Sequence, residues 1–396
     1  MLPGLTGSEI CFTPAVAHQE KDLRLKMSTT KHDIALLDFL RGWSAVLVFF
    51  HHAAILGGGP GYLTGALGKE AVNVFMMASG FLIYLQCSTS AGYDHLQSSA
   101  GIRNFYVRRF FRIAPAYYVA LLFALLLSSY LGQCREQIAQ VLPSSATSME
   151  RYYIEDYVTS VLVHVSFIFG LFPKFAFSTP LPDWSLGLEM QFYFVFPLLY
   201  FGYRKNFKIA LPVTLILMYC AWMIIRRSGL DFPMPSLLPL SFHNFAAGIA
   251  LAYLMLNPDA GRISRMFVIA TVLFFLLLGN RSLPIPLLFV FGCWFLSSAR
   301  HLELLRSWLQ RVFAHRSSKI LADISYSLYI FHLLLMLPYF SWLLSSGPLP
   351  TWGWFFASAG LFAVTAIVAY CSYRYIESPG IRFGKRWLYA PSSSRG

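Results

Sequence analysis

Residues 35–56, ALLDFLRGWSAVLVFFHHAAIL, form the first long apolar block of the chain. An α-helix needs about 20 residues to cross the hydrocarbon of a bilayer, and this block is long enough to do so. Further apolar blocks of similar length follow it, so that the chain of 396 residues is 57% hydrophobic and only 12% charged. An ordinary soluble domain is about 25% charged. The sequence therefore predicts an all-α, polytopic integral membrane protein.

The apolar blocks and the basic residues between them predict a topology. Candidate membrane segments lie at residues 35–56, 71–87, 113–131, 158–172, 189–203, 209–225, 241–256, 264–279, 284–298, 323–345 and 353–372. Basic clusters are expected on the cytoplasmic side of a membrane. Placing them there predicts about ten transmembrane helices with both termini in the cytoplasm. Either 158–172 or 189–203 is then short or re-entrant. Arg226 and Arg227 are an exception, because this arrangement leaves them outside.

The polar stretches between the blocks are too short to fold separately. We expect one membrane domain at residues 34–378, between a cytoplasmic N-terminal extension at 1–33 and a cytoplasmic tail at 379–396. The formal net charge is +13, but the basic residues lie in short runs rather than on one face, which favours contact with anionic membrane lipid over nucleic acid. The six cysteines are widely spaced and form no CxxC pair, so no metal site is expected.

The first segment carries ionisable groups where lipid disfavours them. Arg41 and His52 are eleven residues apart, which places them on the same side of an α-helix with roughly 16 Å between their levels. A histidine at that depth, with a pKa near neutrality, is suited to take a proton from an attacking hydroxyl. His52 is therefore the candidate general base. The alternative is a hydrogen-bonded histidine near the membrane interface with no part in chemistry.

Two arginines precede the third segment at helical spacing. Arg109 and Arg112 stand at positions i and i+3, so they share a helix face. Their planar guanidinium groups could clamp the phosphates of a nucleotide-linked thioester such as acyl-CoA. The alternative is anchoring to anionic lipid headgroups, because arginines flank many membrane helices on this side.

Two later segments also bring polar groups into apolar surroundings. Glu189 and Tyr193 are at i and i+4, where Glu189 could orient a histidine, pair with an arginine or bind an acceptor hydroxyl. A purely structural ion pair is the alternative. Ser325, Tyr329 and His332 fall on one helical face, where they could bind substrate or join helices by hydrogen bonds.

Taken together, these segments resemble acyltransferase family 3, whose members modify surface polysaccharides and related glycosylated acceptors. The most specific matches are Arg41 followed after ten residues by His52, and the Arg-x-x-Arg pair formed by Arg109 and Arg112. Supporting matches occur at residues 78–83, 184–193, 324–332 and 373–377. Phe39, Asn73 and Met190 depart from the residues that are common in the family at those positions.

The resemblance implies an acyltransferase that moves an acyl group, expected to be acetyl, from cytoplasmic acyl-CoA to a hydroxyl of a carbohydrate. The acceptor would be an exopolysaccharide, an O-antigen or a lipid-linked glycan, with a small glycosylated metabolite or lipid as the alternative. No permanently bound cofactor is expected, and the protein would lie in the cytoplasmic membrane. Site residues would be His52, Arg41, Glu189 and His332 for catalysis, and Arg109 and Arg112 for the donor.

A transporter or flippase of a lipid-linked sugar is the competing class. Buried Arg, His and Glu side chains could then line a translocation pathway. The sequence has no visible inverted halves or paired helices broken by Gly or Pro, which such a transporter would be expected to show.

Overall fold

The computed structural model describes residues 14–89, 96, 98–280, 283–296 and 303–388, with the side chains of the first helix described from Ala35 onward. Within these ranges there is no β-strand. The α-helices are α1 (Pro14–Gly57), α2 (Gly61–Thr64), α3 (Leu67–Thr89), α4 (Ser99–Leu126), α5 (Ser128–Val141), α6 (Tyr157–Val165), α7 (Trp184–Arg227), α8 (Phe242–Leu256), α9 (Arg262–Gly279), α10 (Pro284–Phe295), α11 (Glu303–Phe313), α12 (Arg316–Leu343), α13 (Thr351–Ser372) and α14 (Ser378–Lys385).

Helix length and composition agree with a membrane environment. In the described part of the chain, seven helices are long and apolar enough to cross a bilayer, and α8 and α10 are shorter apolar helices. Helix α7 has 44 residues and is interrupted at Asn206, whose φ of −157° and ψ of 94° are not helical. The predicted class, an all-α protein with several membrane helices, is confirmed. The predicted number of about ten crossings stays a prediction.

Helix α6, which covers part of the predicted segment 158–172, is short. It has 9 residues, fewer than half of those that an α-helix needs to cross the hydrocarbon, whereas residues 189–203 lie inside the long helix α7. The chain that follows α6 is held against α7 by hydrogen bonds. The Gln191 side chain donates to the Ser236 carbonyl at 2.8 Å and accepts from the Leu238 amide at 3.0 Å, and the Ser236 hydroxyl donates to the Gly170 carbonyl at 3.0 Å.

Small residues and buried amides fix how α3 meets α8. A Cβ atom at Gly80 would overlap the Phe245 carbonyl oxygen, so only glycine permits this close approach between helices. Nearby, the side-chain amides of Asn73, Asn244 and Asn280 form a closed ring, with donor–acceptor distances of 3.0 to 3.4 Å. Because each asparagine of the ring both donates and accepts, three buried amides are satisfied without water. The ring joins α3 and α8 to the end of α9.

The C-terminal part of the described chain packs against α4. A π-helix, Tyr373–Glu377, leads from α13 into α14, and Gly384 of α14 lies directly against the Phe111 side chain. Residues 379–388 of the predicted tail thus belong to the packed structure. Residues 389–396 of the tail and 1–13 of the N-terminal extension lie outside the described residues, and the division into extension, membrane domain and tail stays a prediction.

Candidate active site

Two adjoining cavities lie among α1, α3, α4, α7 and α12. The larger has a volume of about 260 Å³ and the smaller about 70 Å³. Both are lined by Arg41, Ser79, Glu189 and Tyr326, so the two cavities meet at these residues. The charged residues around the larger cavity are Arg41, Arg108, Arg109, Arg112, Lys385 and Glu189. Positive charge therefore dominates its lining, and α14 contributes to it through Lys385.

Arg109 is held by aromatic rings and one amide. Its guanidinium carbon lies 5.6 Å from the centre of the Phe105 ring and 5.5 Å from that of Tyr193, within the range of cation–π attraction. Its Nη2 donates to Oε1 of Gln86 at 2.6 Å. These contacts orient the planar guanidinium group of Arg109 at the wall of the larger cavity.

Arg112, one turn further along α4, has a different environment. It forms an ion pair with Glu377, whose side chain is 0% exposed. Glu377 also accepts a hydrogen bond from the Ser327 hydroxyl at 3.1 Å, and Ser327 lies 3.0 Å from the Ser372 hydroxyl. Glu377 was among the residues that carry the family resemblance, but no contact between residues 265 positions apart can be inferred from spacing. The partner of Arg112 is thus a residue that sequence reasoning missed.

Glu189 accepts hydrogen bonds from two hydroxyl groups, those of Ser79 and Tyr193. The contact with Tyr193 follows the predicted i, i+4 spacing on α7. The contact with Ser79, on α3, was not predicted. The carboxylate of Glu189 lines both cavities, at the point where they meet.

His52 and His332 form a pair although 280 residues separate them. The Nε2 atom of His332 is 3.2 Å from Nδ1 of His52, and the ring centres are 4.9 Å apart. His332 is 1% exposed and His52 is half-buried. The Nδ1 atom of His332 lies 2.6 Å from the Tyr329 carbonyl, and that of His52 lies 3.0 Å from the Val48 carbonyl.

These contacts determine the tautomers of the two neutral rings. A carbonyl oxygen only accepts, so Nδ1 of His332 must carry its proton and Nε2 must be an acceptor. That acceptor and the Val48 carbonyl both face Nδ1 of His52, which therefore carries the proton of the second ring. The Nε2 atom of His52 is then unprotonated and carries a lone pair. This is the form that a general base requires.

Tyr329 lies between the cavities and the histidine pair. It lines the smaller cavity, and its ring centre is 6.0 Å from that of His332. Its hydroxyl is 2.8 Å from the Ser185 hydroxyl and donates to the Pro182 carbonyl at 2.5 Å. Neither cavity is lined by His52 or His332.

The predicted site residues therefore fall into two groups. The structure gathers Arg41, Glu189, Arg109 and Arg112 around the cavities. His52 and His332 form a separate pair behind Tyr329. The functional assignments of all six residues stay predictions.

A buried polar cluster positions the start of α7. Asp183, 1% exposed, accepts from the Thr179 hydroxyl at 3.0 Å and from the Tyr117 hydroxyl at 3.2 Å, and His164 lies 3.8 Å away. Burial raises the pKa of the Asp183 carboxyl, and the nearby His164 opposes that rise. Arg151 donates to the Thr179 carbonyl at 2.8 Å. The cluster fixes the backbone that presents the Pro182 carbonyl to Tyr329.

Comparison with known proteins identifies a matching family. A family model described as an acyltransferase domain, Acyl_transf_3, matches residues 34–374. The peptidoglycan O-acetyltransferase OatA of Listeria monocytogenes is 25% identical over 321 residues, which are 75% of this chain and 48% of that protein. A putative O-acetyltransferase of Staphylococcus aureus strain MRSA252 is 24% identical over 387 residues, 90% of this chain and 59% of that protein.

The chain thus spans about half of the length of the curated relatives it matches. No solved structure is significantly similar to it. The match to the family model covers most of the chain and includes all six predicted site residues, and the enzyme class predicted from the sequence, an acyltransferase, is confirmed. The protein belongs to acyltransferase family 3.

Proposed function

We propose that the protein is an O-acetyltransferase that moves an acetyl group from cytoplasmic acetyl-CoA to a hydroxyl of a carbohydrate acceptor. The observation that carries the proposal is a cavity rich in basic residues whose smaller neighbour ends at Tyr329, with the ring of His332 6.0 Å from the Tyr329 ring and paired with His52. The names of the relatives, one of which is a peptidoglycan O-acetyltransferase, support both the acetyl group and a glycan acceptor.

The lining of the larger cavity suits a polyanionic donor. Acyl-CoA carries several phosphate charges, and five basic residues face the cavity. Arg109 presents a planar fork that can contact two phosphate oxygens at once. We assign to Arg112, which pairs with Glu377, the support of this wall. We assign the direct phosphate contact to Arg109, because Gln86 and the rings of Phe105 and Tyr193 orient its guanidinium group at the cavity. The donor is a substrate, and no permanently bound cofactor is needed.

The chemistry follows from the tautomer of His52. Its Nε2 atom takes the proton of the acceptor hydroxyl, and the hydroxyl oxygen attacks the carbonyl carbon of the thioester. Arg41 stabilises the negative charge that develops on the carbonyl oxygen. When the carbon–sulfur bond breaks, the thiolate of CoA takes the proton from His52. His332 accepts the hydrogen bond from Nδ1 of His52 throughout and so stabilises the transient imidazolium.

Two further features complete the proposed site. Glu189 at the junction of the cavities holds hydroxyl groups, and its carboxylate is placed to bind an acceptor hydroxyl when Ser79 or Tyr193 gives up its bond. The ring of Tyr329 stands between the donor path and the histidine pair. Turnover therefore requires that this ring shift while the acyl carbon meets the acceptor oxygen.

We also propose ten membrane crossings with both termini in the cytoplasm. The seven long apolar helices, with the two halves of α7 counted separately and with α8 and α10 added, make ten crossings. The protein then lies in the cytoplasmic membrane, and the larger cavity opens toward the cytoplasm, because Arg108 and Lys385 lie at the cytoplasmic ends of α4 and α14. Membrane lipid surrounds the bundle.

Transfer of radiolabelled acetyl from acetyl-CoA tests the proposal. Membranes containing the wild type, His52→Ala or His51→Ala would receive the donor, and labelled material would be separated into glycan, lipid and small molecules. His51 is the matched control, because it is the neighbouring histidine of α1 and its Nδ1 lies 2.7 Å from the Leu63 carbonyl.

We expect label in the glycan fraction with the wild type and with His51→Ala, and little with His52→Ala. Label in small molecules would instead indicate the alternative acceptor. Full activity of His52→Ala would refute the role of His52, and the absence of wild-type label with acceptor-containing membranes would refute the donor.

A further inference from the structure

The smaller cavity has features that the proposed transfer does not by itself explain. It is lined by Val72, Phe75, Met76, Phe245 and Tyr329 together with the polar residues that it shares with the larger cavity. We propose that this cavity holds the acyl group of the donor and that Met76 and Phe75 limit that group to two carbons. The inference rests on the proposed acyl transfer from CoA.

The position of the cavity supports this assignment. It joins the larger cavity at Arg41 and Glu189 and ends at Tyr329, beyond which the histidine pair lies. A donor whose phosphates lie near Arg109 has its thioester at the other end of a long arm. The smaller cavity is the part of the path nearest to His332, so the reacting carbon belongs there.

The size of the cavity agrees with a short acyl group. Its volume is about 70 Å³, whereas an apolar cavity of about 150 Å³ in another protein holds one benzene ring. By that comparison the smaller cavity has room for about three non-hydrogen atoms, which is the size of an acetyl group. A butanoyl group has two more methylene groups and would need the walls to move.

The walls are held by packing. Met76 is 3% exposed, and Phe245 is fully buried and stacks on Phe192 with ring centres 4.2 Å apart. The Phe75 ring lies 5.9 Å from that of Tyr329. Protein interiors are packed about as densely as organic crystals, so these side chains leave little room for a longer chain. Among them, Met76 is the unbranched residue whose truncation extends the cavity with the least change of shape.

Neighbouring methionines of α3 provide a matched test. Met76 lines the smaller cavity, whereas Met77 is equally buried, at 3%, and contributes to a separate apolar pocket with Leu36 and Leu40. Met76→Ala and Met77→Ala remove the same atoms from the same helix. The quantity measured is the ratio of kcat/KM for butanoyl-CoA to that for acetyl-CoA, with purified protein in detergent and the acceptor found in the labelling experiment.

We expect Met76→Ala to raise this ratio at least about tenfold, because one methylene group in an apolar pocket changes kcat/KM by about 10- to 200-fold. Met77→Ala should retain the wild-type ratio. An unchanged ratio in Met76→Ala, or an equal shift in both variants, would overturn the inference. Size-exclusion profiles establish that the variants are folded, and Phe75→Leu is judged by the same criterion if Met76→Ala does not accumulate.

The outcome also separates this inference from the proposed function. If the wild type transfers acetyl from acetyl-CoA but the ratio does not respond to Met76→Ala, only the acyl pocket is wrong. If the wild type transfers neither acyl group from CoA, the proposed donor is wrong and the pocket assignment falls with it.

Discussion

The larger cavity and the histidine pair, the two ends of the candidate site, interact with substrates by different physical means. At the larger cavity, Arg109 and the basic residues around it offer net positive charge to an anion. At the histidine pair, two neutral rings are ordered by hydrogen bonds to the backbone carbonyls of Val48 and Tyr329. The positive charge of the larger cavity attracts an anionic acyl donor but does not determine where a proton is held. The hydrogen bonds of the histidine pair leave one nitrogen, Nε2 of His52, available to accept a proton. Mutations at the two ends should therefore change different kinetic constants.

Removal of His52 should have the largest effect on turnover. General base catalysis contributes about 10²- to 10⁴-fold, so His52→Ala should lower kcat by that factor at saturating acetyl-CoA. The KM for acetyl-CoA should stay near the wild-type value, because His52 lies outside the lining of the larger cavity. Steady-state rates measured over a range of donor concentrations check both constants. A change confined to KM would contradict the division between the two ends.

Arg112 should affect stability more than Arg109 does, although both lie on α4. Arg112→Gln leaves the buried carboxylate of Glu377 without its partner, and breaking a buried ion pair typically costs about 3–5 kcal/mol. Thermal unfolding in detergent should show a markedly lower Tm for this variant. The double variant Arg112→Gln/Glu377→Gln should recover much of the loss, with Arg109→Gln as the control that removes the same charge. Equal Tm values for the two single variants would contradict the structural assignment of Arg112.

His332 should act through His52. Partners that orient a metal-bound histidine typically contribute about 10- to 100-fold, and by analogy we expect His332→Ala to lower kcat by a similar factor. His332→Gln should be less impaired, because its side-chain carbonyl can still accept from Nδ1 of His52. A residue that serves only packing would show no such rescue, and equal kcat values for the two variants would contradict the positioning role.

Substitution of Arg109 should have the smallest of these effects, and it should change the KM for acetyl-CoA rather than kcat. Loss of one charge-assisted hydrogen bond to a phosphate costs about 1.5–3 kcal/mol, so Arg109→Gln should raise the KM for acetyl-CoA at least about tenfold. The kcat should change little. If Arg109 only anchors lipid headgroups, the KM for acetyl-CoA will remain at the wild-type value in the same assay.

Much of the fold follows from the sequence, because apolar length predicts membrane helices directly. Residues 189–203 and 209–225 were predicted as separate segments, and the non-helical Asn206 divides α7 between them. The limits appear where an element is extended. The predicted segment 113–131 begins at Ser99 in the structure, since the arginine-rich stretch continues the helix. Polar residues at a helix end carry no hydropathy signal, so such extensions escape a search for apolar blocks.

The candidate site was predicted only as far as local spacing reaches. The shared face of Glu189 and Tyr193 followed from helix geometry. The contact between His52 and His332 depends on how α1 packs against α12, which spacing does not contain. For the same reason Arg109 and Arg112 looked equivalent, although Glu377 approaches only one of them. Residues that look equivalent from helical spacing can therefore differ in the residues that contact them from distant parts of the sequence.

The most direct test of the central claim is the side from which the donor acts. Acetyl-CoA does not cross a sealed membrane, so labelled donor would be added to sealed inside-out and right-side-out vesicles that contain the wild type. A path that starts at the basic cavity on the cytoplasmic face predicts labelled acceptor with inside-out vesicles and only background with right-side-out ones. Equal labelling of both preparations, or labelling of right-side-out vesicles alone, would contradict it.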